Sequence, residues 1–176
     1  MMKTSTTVAL AALLVFISSP SLSKAEILEG ELEVFGMTCP FCGFGIEKKL
    51  RAVPGVSEVT IFLDEGRIQL AFVPENDAVP DDIEGAVEKA GFKLSTLRLK
   101  VQGMFAEDDS QPVLVAGRKA RFLLLDEKRR EALSGDALQR LQAAARSGTV
   151  VVSGTVDGEV DGLSALALSN GTVSKR

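Results

Sequence analysis

The sequence has 176 residues, with 20 basic and 24 acidic side chains, a formal net charge of −4, and no His, Trp or Tyr. Nucleic-acid binding normally requires a basic surface, and neither Trp nor Tyr is present to stack on bases, so this class of function is disfavoured. Without histidine, the commonest zinc ligand and the usual general base are both missing. We therefore expect the chemistry of this chain to depend on sulfur.

The first 25 residues predict a secretory signal peptide. Lys3 gives a positive start, the apolar run "VALAALLVFI" follows at 8–17, and small residues at Ser23 and Ala25 predict cleavage after Ala25. The run is about half of the roughly 20 residues that a membrane-spanning helix needs. We expect an exported protein, periplasmic or secreted, that is not embedded in a membrane after cleavage.

Residues 26–103 predict a ferredoxin-like α+β domain. Alternating apolar residues predict strands, and apolar residues at i, i+4 and i+7, as in Ile46, Leu50 and Val53, predict helices. In chain order the elements are a strand in "GELEVFGM", a helix from Pro40, strands in "SEVTIFL" and "RIQLAFV" joined by the turn "DEG", a helix from Pro80 to Gly91, and a strand in "FKLSTLRLKV". This βαββαβ order is the split βαβ arrangement.

Residues 104–176 predict a second, small β-rich domain. The pattern favours strands in "LKVQGMFAE", "PVLVAG" and "ARFLLLD", a helix in "GDALQRLQAAARSG", and strands in "TVVVSGTV" and "LSALALS". Three strands, a helix and two strands match the element order of an OB-like barrel. With no Pro- or Ser-rich linker, the two domains are expected to abut around residues 101–103.

The two cysteines of the chain, Cys39 and Cys42, stand three apart in "GMTCPFCGFGIEKKL". Two thiolates suit soft ions of low coordination number such as Cu(I) or Hg(II). Cys42 is predicted in the first turn of a helix, where backbone N–H groups and the helix dipole favour a thiolate. Gly36, Gly43 and Gly45 reduce the rigidity of the surroundings.

Two other interpretations of the pair stay open at this point. "CPFC" also resembles the active site of the glutaredoxin family, which implies a thiol–disulfide oxidoreductase with Cys39 as nucleophile and Cys42 as resolving thiol. That family has a strand after a Val-Pro pair, whereas the sequence after Val79–Pro80 predicts a helix. A permanent disulfide is plausible in an exported protein. It would close a very short loop, however, and short loops give little stabilisation.

The stretch from Gly36 to Cys42, the hairpin after it and "IEGAVEKAGF" together resemble the heavy-metal-associated domain family. This family includes copper chaperones, the metal-binding modules of copper-exporting ATPases and a periplasmic mercuric-ion-binding protein. The resemblance covers residues 31–103 and does not extend to the C-terminal module.

The resemblance implies that Cys39 and Cys42 bind one Cu(I) or Hg(II) ion, with Zn(II) less favoured because Thr38 stands where zinc-handling members often carry Asp. It implies that Met37 packs beneath the binding loop and that Phe92 lies beside it, as a shield for the ion or as a core aromatic. It implies a metallochaperone, not an enzyme, whose partner is a membrane metal transporter or another Cys-x-x-Cys domain.

Three further expectations concern the rest of the chain. Residues 26–103 carry an excess of acidic side chains, which predicts a basic patch on the partner. Met104 and Phe105 are assigned to packing and given no site role. Residues 104–176 contain no catalytic constellation, and we expect them to dock a partner or to position the metal-binding domain.

Overall fold

The computed structural model of the chain describes residues 26–37, 39–146 and 148–175. The predicted signal peptide, 1–25, and Thr38 lie outside these described residues. The helices and strands are β1 (Glu26–Phe35), α1 (Pro40–Leu50), β2 (Val56–Phe62), β3 (Arg67–Phe72), α2 (Pro80–Lys89), β4 (Lys93–Asp108), β5 (Gln111–Ala116), β6 (Ala120–Asp126), α3 (Gly135–Ala145), β7 (Val150–Val160) and β8 (Leu163–Lys175).

The first half of the chain forms the predicted ferredoxin-like βαββαβ unit. Its strands lie in the order β2-β3-β1-β4, and every neighbouring pair is antiparallel. Alternate residues of β1 are buried, including Leu32 and Val34, and they share one core with Ile46 and Leu50 of α1 and with α2. The prediction of both helices, each beginning at a proline that is tolerated in a first turn, is confirmed.

The second half contains the predicted three strands, helix and two strands. The sheet order continues β4-β5-β6-β8-β7, and an additional pairing of β7 with β4 closes these five strands into a ring. All neighbours in the ring are antiparallel except β6 and β8, which are parallel. Leu141 of α3 is fully buried in the same core as the strands.

The expected meeting point of the two units, residues 101–103, falls inside one continuous strand. Residues 93–102 of β4 pair with β1, residues 98–103 pair with β7 on the other side, and residues 104–108 pair with β5. The sequence pattern predicted two strands here, and the structure joins them into one. The boundary between the proposed domains stays a prediction, since both units use this strand.

Gly103 makes the change of partner along β4 possible. A Cβ atom at this position would lie 2.7 Å from Leu114 Cγ and 2.7 Å from the backbone oxygen of Val115. Ordinary contacts between nonbonded carbons are about 3.5–4.0 Å. Only a residue without a side chain allows β5 to approach β4 this closely.

Two polar residues of the loop between β3 and α2 connect elements that are distant in sequence. The buried Asn76 side chain donates hydrogen bonds of 2.9 Å to the carbonyl oxygens of Ile27 and Val73. Its neighbour Asp77 accepts hydrogen bonds from the backbone N–H (3.1 Å) and the Nε (2.9 Å) of Arg118, in the turn between β5 and β6. The Asp77–Arg118 pair therefore ties the first unit to the second.

Candidate metal site

The cysteine loop lies at one end of the first sheet, between the last residue of β1 and the first of α1. Gly36 begins the loop with φ = 79°, a left-handed conformation that glycine adopts without steric cost. The turn between β2 and β3 lies beside it, because the Val34 N–H donates a 2.9 Å hydrogen bond to the Gly66 carbonyl. Phe35 is paired in register with Lys93, so the start of β4 lies on the other side.

Cys39 is the N-cap residue of α1, and Cys42 lies in the first helical turn. The Cys39 backbone is extended (φ −119°, ψ 134°), and its carbonyl accepts hydrogen bonds from the N–H groups of Cys42 (3.0 Å) and Gly43 (3.2 Å). Both cysteines are partly exposed and neither is in a disulfide. The start of α1 thus holds two thiols, three residues apart, that are accessible to solvent.

The two thiols differ in their acidity. The pKa of Cys39 is lowered, mainly because the Cys42 N–H and then the Cys42 thiol stabilise the thiolate, with a further contribution from the Phe41 N–H. The pKa of Cys42 is raised, mainly because its thiol donates to the Cys39 sulfur and also because burial disfavours its charge. The Cys39 sulfur makes no capping hydrogen bond of standard geometry, so the amides act on it largely as oriented dipoles.

The donor set at this loop consists of the two sulfurs. Across the described ranges, no group of three or more His, Cys, Asp or Glu side chains converges in a way that could hold a metal ion. Two thiolates without a carboxylate or imidazole suit a soft ion of low coordination number, and they are a poor set for zinc, which takes four ligands in structural sites. The residues present therefore fit a soft ion such as Cu(I) or Hg(II).

Met37 is buried, as the resemblance led us to expect. Met37 is 1% exposed and belongs to the core under the loop. Phe92, directly before β4, is partly buried and packs against the same core. This favours the role of Phe92 as a core aromatic, and its role as a shield for the ion stays a prediction.

Three exposed phenylalanines near the loop were not among the predicted site residues. Phe41 is 88% exposed, Phe44 72% and Phe35 62%. Helical spacing was used to identify the buried residues Ile46, Leu50 and Val53, and the pair on α1 was given no role. A usable signal was available in the sequence, because Phe41 and Phe44 lie off the stripe formed by Ile46 and Leu50.

The residues set aside as packing differ from each other in the structure. Phe105 is partly buried and packs against the core, as expected. Met104 is 56% exposed, so the packing interpretation is wrong for its side chain. Met104 directly follows Gly103, the point where β4 changes partner, and its side chain points out of the ring.

Comparison with known proteins agrees with this geometry. Residues 31–93 match the family model described as "Heavy-metal-associated domain". This part of the chain is similar to that family. The match begins in β1 and ends at the first residue of β4, so it includes both cysteines and both helices of the first unit. The resemblance inferred from the sequence is confirmed for this span.

The curated relatives of the chain are copper-transporting ATPases. The chain is 31% identical over 117 residues to Copper-transporting ATPase RAN1 of Arabidopsis thaliana (62% of this chain, 11% of the relative). It is also 31% identical over 102 residues to Copper-transporting ATPase 1 of Rhizobium meliloti (58% of this chain, 12% of the relative). The chain thus spans about a tenth of the length of the curated relatives it matches.

Solved structures similar to the chain include the yeast copper transporter domain Ccc2a in its apo and Cu(I)-loaded states. The identity is 34%, the TM-score is 0.35, and the likeness covers 39% of this chain and 92% of that one.

In the part of the chain that the structure describes, no helix is long and apolar enough to cross a membrane.

Proposed function

We propose that this chain is a metallochaperone that binds one Cu(I) ion through Cys39 and Cys42 and passes it to another protein. The observation that carries the proposal is the pair of partly exposed thiols at the start of α1, without a third ligand among the described residues. Copper is favoured over Hg(II) because the curated relatives are copper-transporting ATPases. The function is binding and transfer, without covalent chemistry on a substrate.

Transfer would proceed by exchange of thiolate ligands. A partner thiol releases its proton to solvent and forms a third S–Cu bond, after which one S–Cu bond of this chain breaks and the departing sulfur takes up a proton. The copper remains Cu(I) throughout, so no oxidant or reductant is required.

The proposed partner is a membrane metal transporter or another protein with a Cys-x-x-Cys metal-binding domain.

We further propose that residues 1–25 are a signal peptide and that the protein acts in the periplasm or outside the cell. Cleavage after Ala25 would leave the described fold whole, since β1 begins at Glu26. The mass of the protein purified from the exporting compartment tests this proposal, and a retained residue 1–25 segment would contradict it.

We propose that the second unit is an OB-like barrel. Three features support this assignment: the ring order β4-β5-β6-β8-β7, the parallel pairing of β6 with β8, and the position of α3 between β6 and β7. The OB fold is a five-stranded, partly open Greek-key barrel. An experimental structure of the chain in which β7 is not paired with β4 would refute the assignment.

A metal titration of the reduced chain from Glu26 onward, without oxygen and against a competing Cu(I) chelator, tests the proposed function. We expect one tightly bound Cu(I) ion, and loss of that binding in both Cys39→Ser and Cys42→Ser. Met104→Leu is the matched control, because it removes an exposed sulfur far from the loop and should leave the affinity unchanged. Hg(II) and Zn(II) serve as comparison ions.

A second candidate function is thiol–disulfide exchange, and the opposite pKa shifts of the two thiols favour it. A nucleophile with a lowered pKa beside a resolving thiol is the arrangement that redox proteins use. Catalytic reduction of a model disulfide by the metal-free chain, lost in Cys39→Ser, would support this function. Tight Cu(I) binding together with poor disulfide reduction would support the metallochaperone instead.

A further inference from the structure

Two neighbouring strands of the second unit, β6 and β8, are apolar on both faces. Phe122 and Leu124 of β6 belong to the main core. The alternate residues Leu123 and Leu125 point to the other side of the sheet, where a second, smaller cluster lies. Its members are Leu123, Leu125, Ala165 and Ala167, with Leu163 packed against them, and we call these five residues the outer wall. A strand with one solvated face normally alternates apolar and polar residues, whereas a continuous apolar run is typical of a strand covered on both faces.

The outer wall is buried, although among the described residues no helix or strand packs on it. Its leucines on β6 and its alanines on β8 are between 0% and 6% exposed. All three helices pack against the main core, on the opposite side of the sheet. Outside the described ranges the chain has one stretch longer than a single residue, 1–25. The proposed cleavage after Ala25 removes that stretch, so the outer wall of the mature chain needs another cover.

The outer wall has a shape that is complementary to itself. Leu123 is paired in register with Ala165, and Leu125 with Ala167. The leucines form a ridge on β6, and the alanines leave a lower strip on β8, about 4.8 Å to the side. A two-fold axis that runs along the strands, between β6 and β8, places β6 of each copy over β8 of the other. Leucines then meet alanines, and the two sheets can interdigitate at the usual spacing of about 10 Å.

The distribution of charge favours a contact between second units. Residues 104–176 have 10 basic and 10 acidic side chains, whereas residues 26–103 have 8 basic and 14 acidic ones. Arg121 and Asp108, which lie on either side of β5 next to the outer wall, already form an ion pair of 2.6 Å. Association through the outer wall therefore brings together the neutral halves of two copies, not the acidic halves that would repel each other.

The area of the outer wall indicates a weak association that depends on concentration. With strands about 4.8 Å apart and same-face residues about 6.7 Å apart, three residues on each of two strands cover about 200 Å² of sheet. Overlap of β5 and β7 as well gives about 400 Å². This is within the roughly 300–600 Å² of the largest apolar patch on a typical monomer, and about half of the roughly 800 Å² per partner in a standard interface.

We propose that a second copy of the mature chain covers the outer wall, in a two-fold dimer built on β6 and β8 of both copies. This inference goes beyond the proposed metal transfer, and the part of the proposed function on which it rests is the cleavage after Ala25. The outer wall contains no residue of the first unit, so the cysteine loops of both copies lie outside the contact. The dimer forms without a metal ion.

Sedimentation velocity of the metal-free exported protein tests the proposal, after mass spectrometry has established that the chain begins at Glu26. The wild type is compared with Leu123→Thr, Ala165→Leu and Met104→Thr, each over a roughly hundredfold range of concentration. Threonine is β-branched and suits a strand. Met104→Thr is the matched control, because Met104 is 56% exposed on β4, outside the four overlapping strands.

We expect the wild type and Met104→Thr to pass from the monomer mass to twice that mass as the concentration rises. Leu123→Thr should raise the dissociation constant at least about tenfold, because each substitution occurs twice in a two-fold interface. Ala165→Leu should weaken the dimer as well, since it fills the strip that receives Leu123 of the other copy. A wild type that is monomeric at every concentration, or a Leu123→Thr dimer as stable as that of the wild type, would overturn the proposal.

Ala165→Leu also distinguishes a second copy from a lipid surface, because it makes the outer wall more apolar while it removes the fit. Flotation with phosphatidylcholine–phosphatidylglycerol vesicles that increases in this variant, together with a monomeric wild type, would assign the outer wall to lipid and refute the dimer.

Two controls separate the dimer from the proposed function. Cys39→Ser/Cys42→Ser should dimerise like the wild type even if the chain fails to bind Cu(I), whereas a dimer that needs both cysteines and Cu(I) would contradict the proposal. An exported protein that retains residues 1–25 would contradict the proposed cleavage alone. The chain from Glu26 onward, expressed without that stretch, would then support the proposal as a dimer or overturn it as a monomer.

Discussion

Substitution of Gly103 by alanine tests the physical connection between the two units. The added Cβ would lie 2.7 Å from Leu114 Cγ and from the Val115 oxygen, about 0.8 Å or more inside ordinary contact distance. The Val115 atom belongs to the backbone of β5, so relief requires a shift of a whole strand. Overpacking of this kind costs about 1–3 kcal/mol, and we expect the upper end of that range, which lowers the melting temperature by roughly 6–12 °C.

Thermal and urea unfolding, followed by circular dichroism with and without Cu(I), provide the measurement. Because β4 belongs to both units, Gly103→Ala should shift one cooperative transition and leave the Cu(I) affinity of the folded state unchanged. Gly45→Ala is the matched control: nothing lies within 4 Å of its Cβ, and it should stabilise α1 by about 1 kcal/mol. Two separate transitions, of which only one moves, would refute the reasoning, as would a Gly103→Ala protein as stable as the wild type.

Three further predictions concern individual side chains. Iodoacetamide should modify Cys39 before Cys42, and at lower pH than a free cysteine, because the pKa of Cys39 is lowered and that of Cys42 is raised. Peptide mass spectrometry measures the two rates of modification, and equal rates would contradict this prediction. Arg118 lowers the pKa of Asp77, so the pair stabilises the fold above the unfolded pKa of about 3.9 and loses this effect as the pH falls through the folded pKa. Asp77→Asn should therefore lower the urea midpoint at pH 7 and have a shrinking effect below pH 4, and a pH-independent difference would count against the ion pair. Asn76→Ala should cost about 1–3 kcal/mol, since two carbonyls would lose their donor, and a loss below 0.5 kcal/mol in urea unfolding would show that water replaces the amide.

The elements of the first unit could be predicted because their signals are local. Pro40 and Pro80 mark the helix starts, and alternation in β2 and β3 marks a hairpin, which the structure closes with a 3₁₀ turn at Leu63–Glu65. Each of these signals involves residues close in sequence, where periodicity is informative. The position of the cysteines at the start of α1 followed from the same reasoning.

The closure of the second unit could not be predicted in the same way. Phe122 pairs with Ser164 and Leu99 with Gly154, and nothing in the local pattern of either strand names its partner. Gly103 lies inside the predicted strand "LKVQGMFAE", but the local pattern gives no reason for a glycine there, since glycine is unfavourable in strand interiors. In the structure the close approach of β5 requires it there, and this is visible only once β5 is in place.

The sequence predicts Cys39 and Cys42 as ligands, which stays a prediction, and it does not assign the exposed phenylalanines near them to the site. Cys39 and Cys42 attract attention because sulfur has its own chemistry, whereas nothing in the chemistry of Phe41 and Phe44 marks them as part of a site. Their exposure depends on which face of α1 meets the sheet. Gly43 helps to set that face, because a Cβ atom added there would lie 3.1 Å from Leu63 Cδ2. A residue without a side chain gives a weak signal of orientation in a sequence.

The pairing of β7 with β4 has a consequence for the newly synthesised protein. The ribosome completes β4 at Asp108, but its second neighbour begins only at Val150, so the growing polypeptide carries an unpaired strand edge during the synthesis of about forty residues. Such an edge is a template for strand addition by another polypeptide. A nonsense codon or a proteolytic cut between these two points would leave the first unit with a permanently open edge, and fragments of this kind should aggregate even though they retain both cysteines.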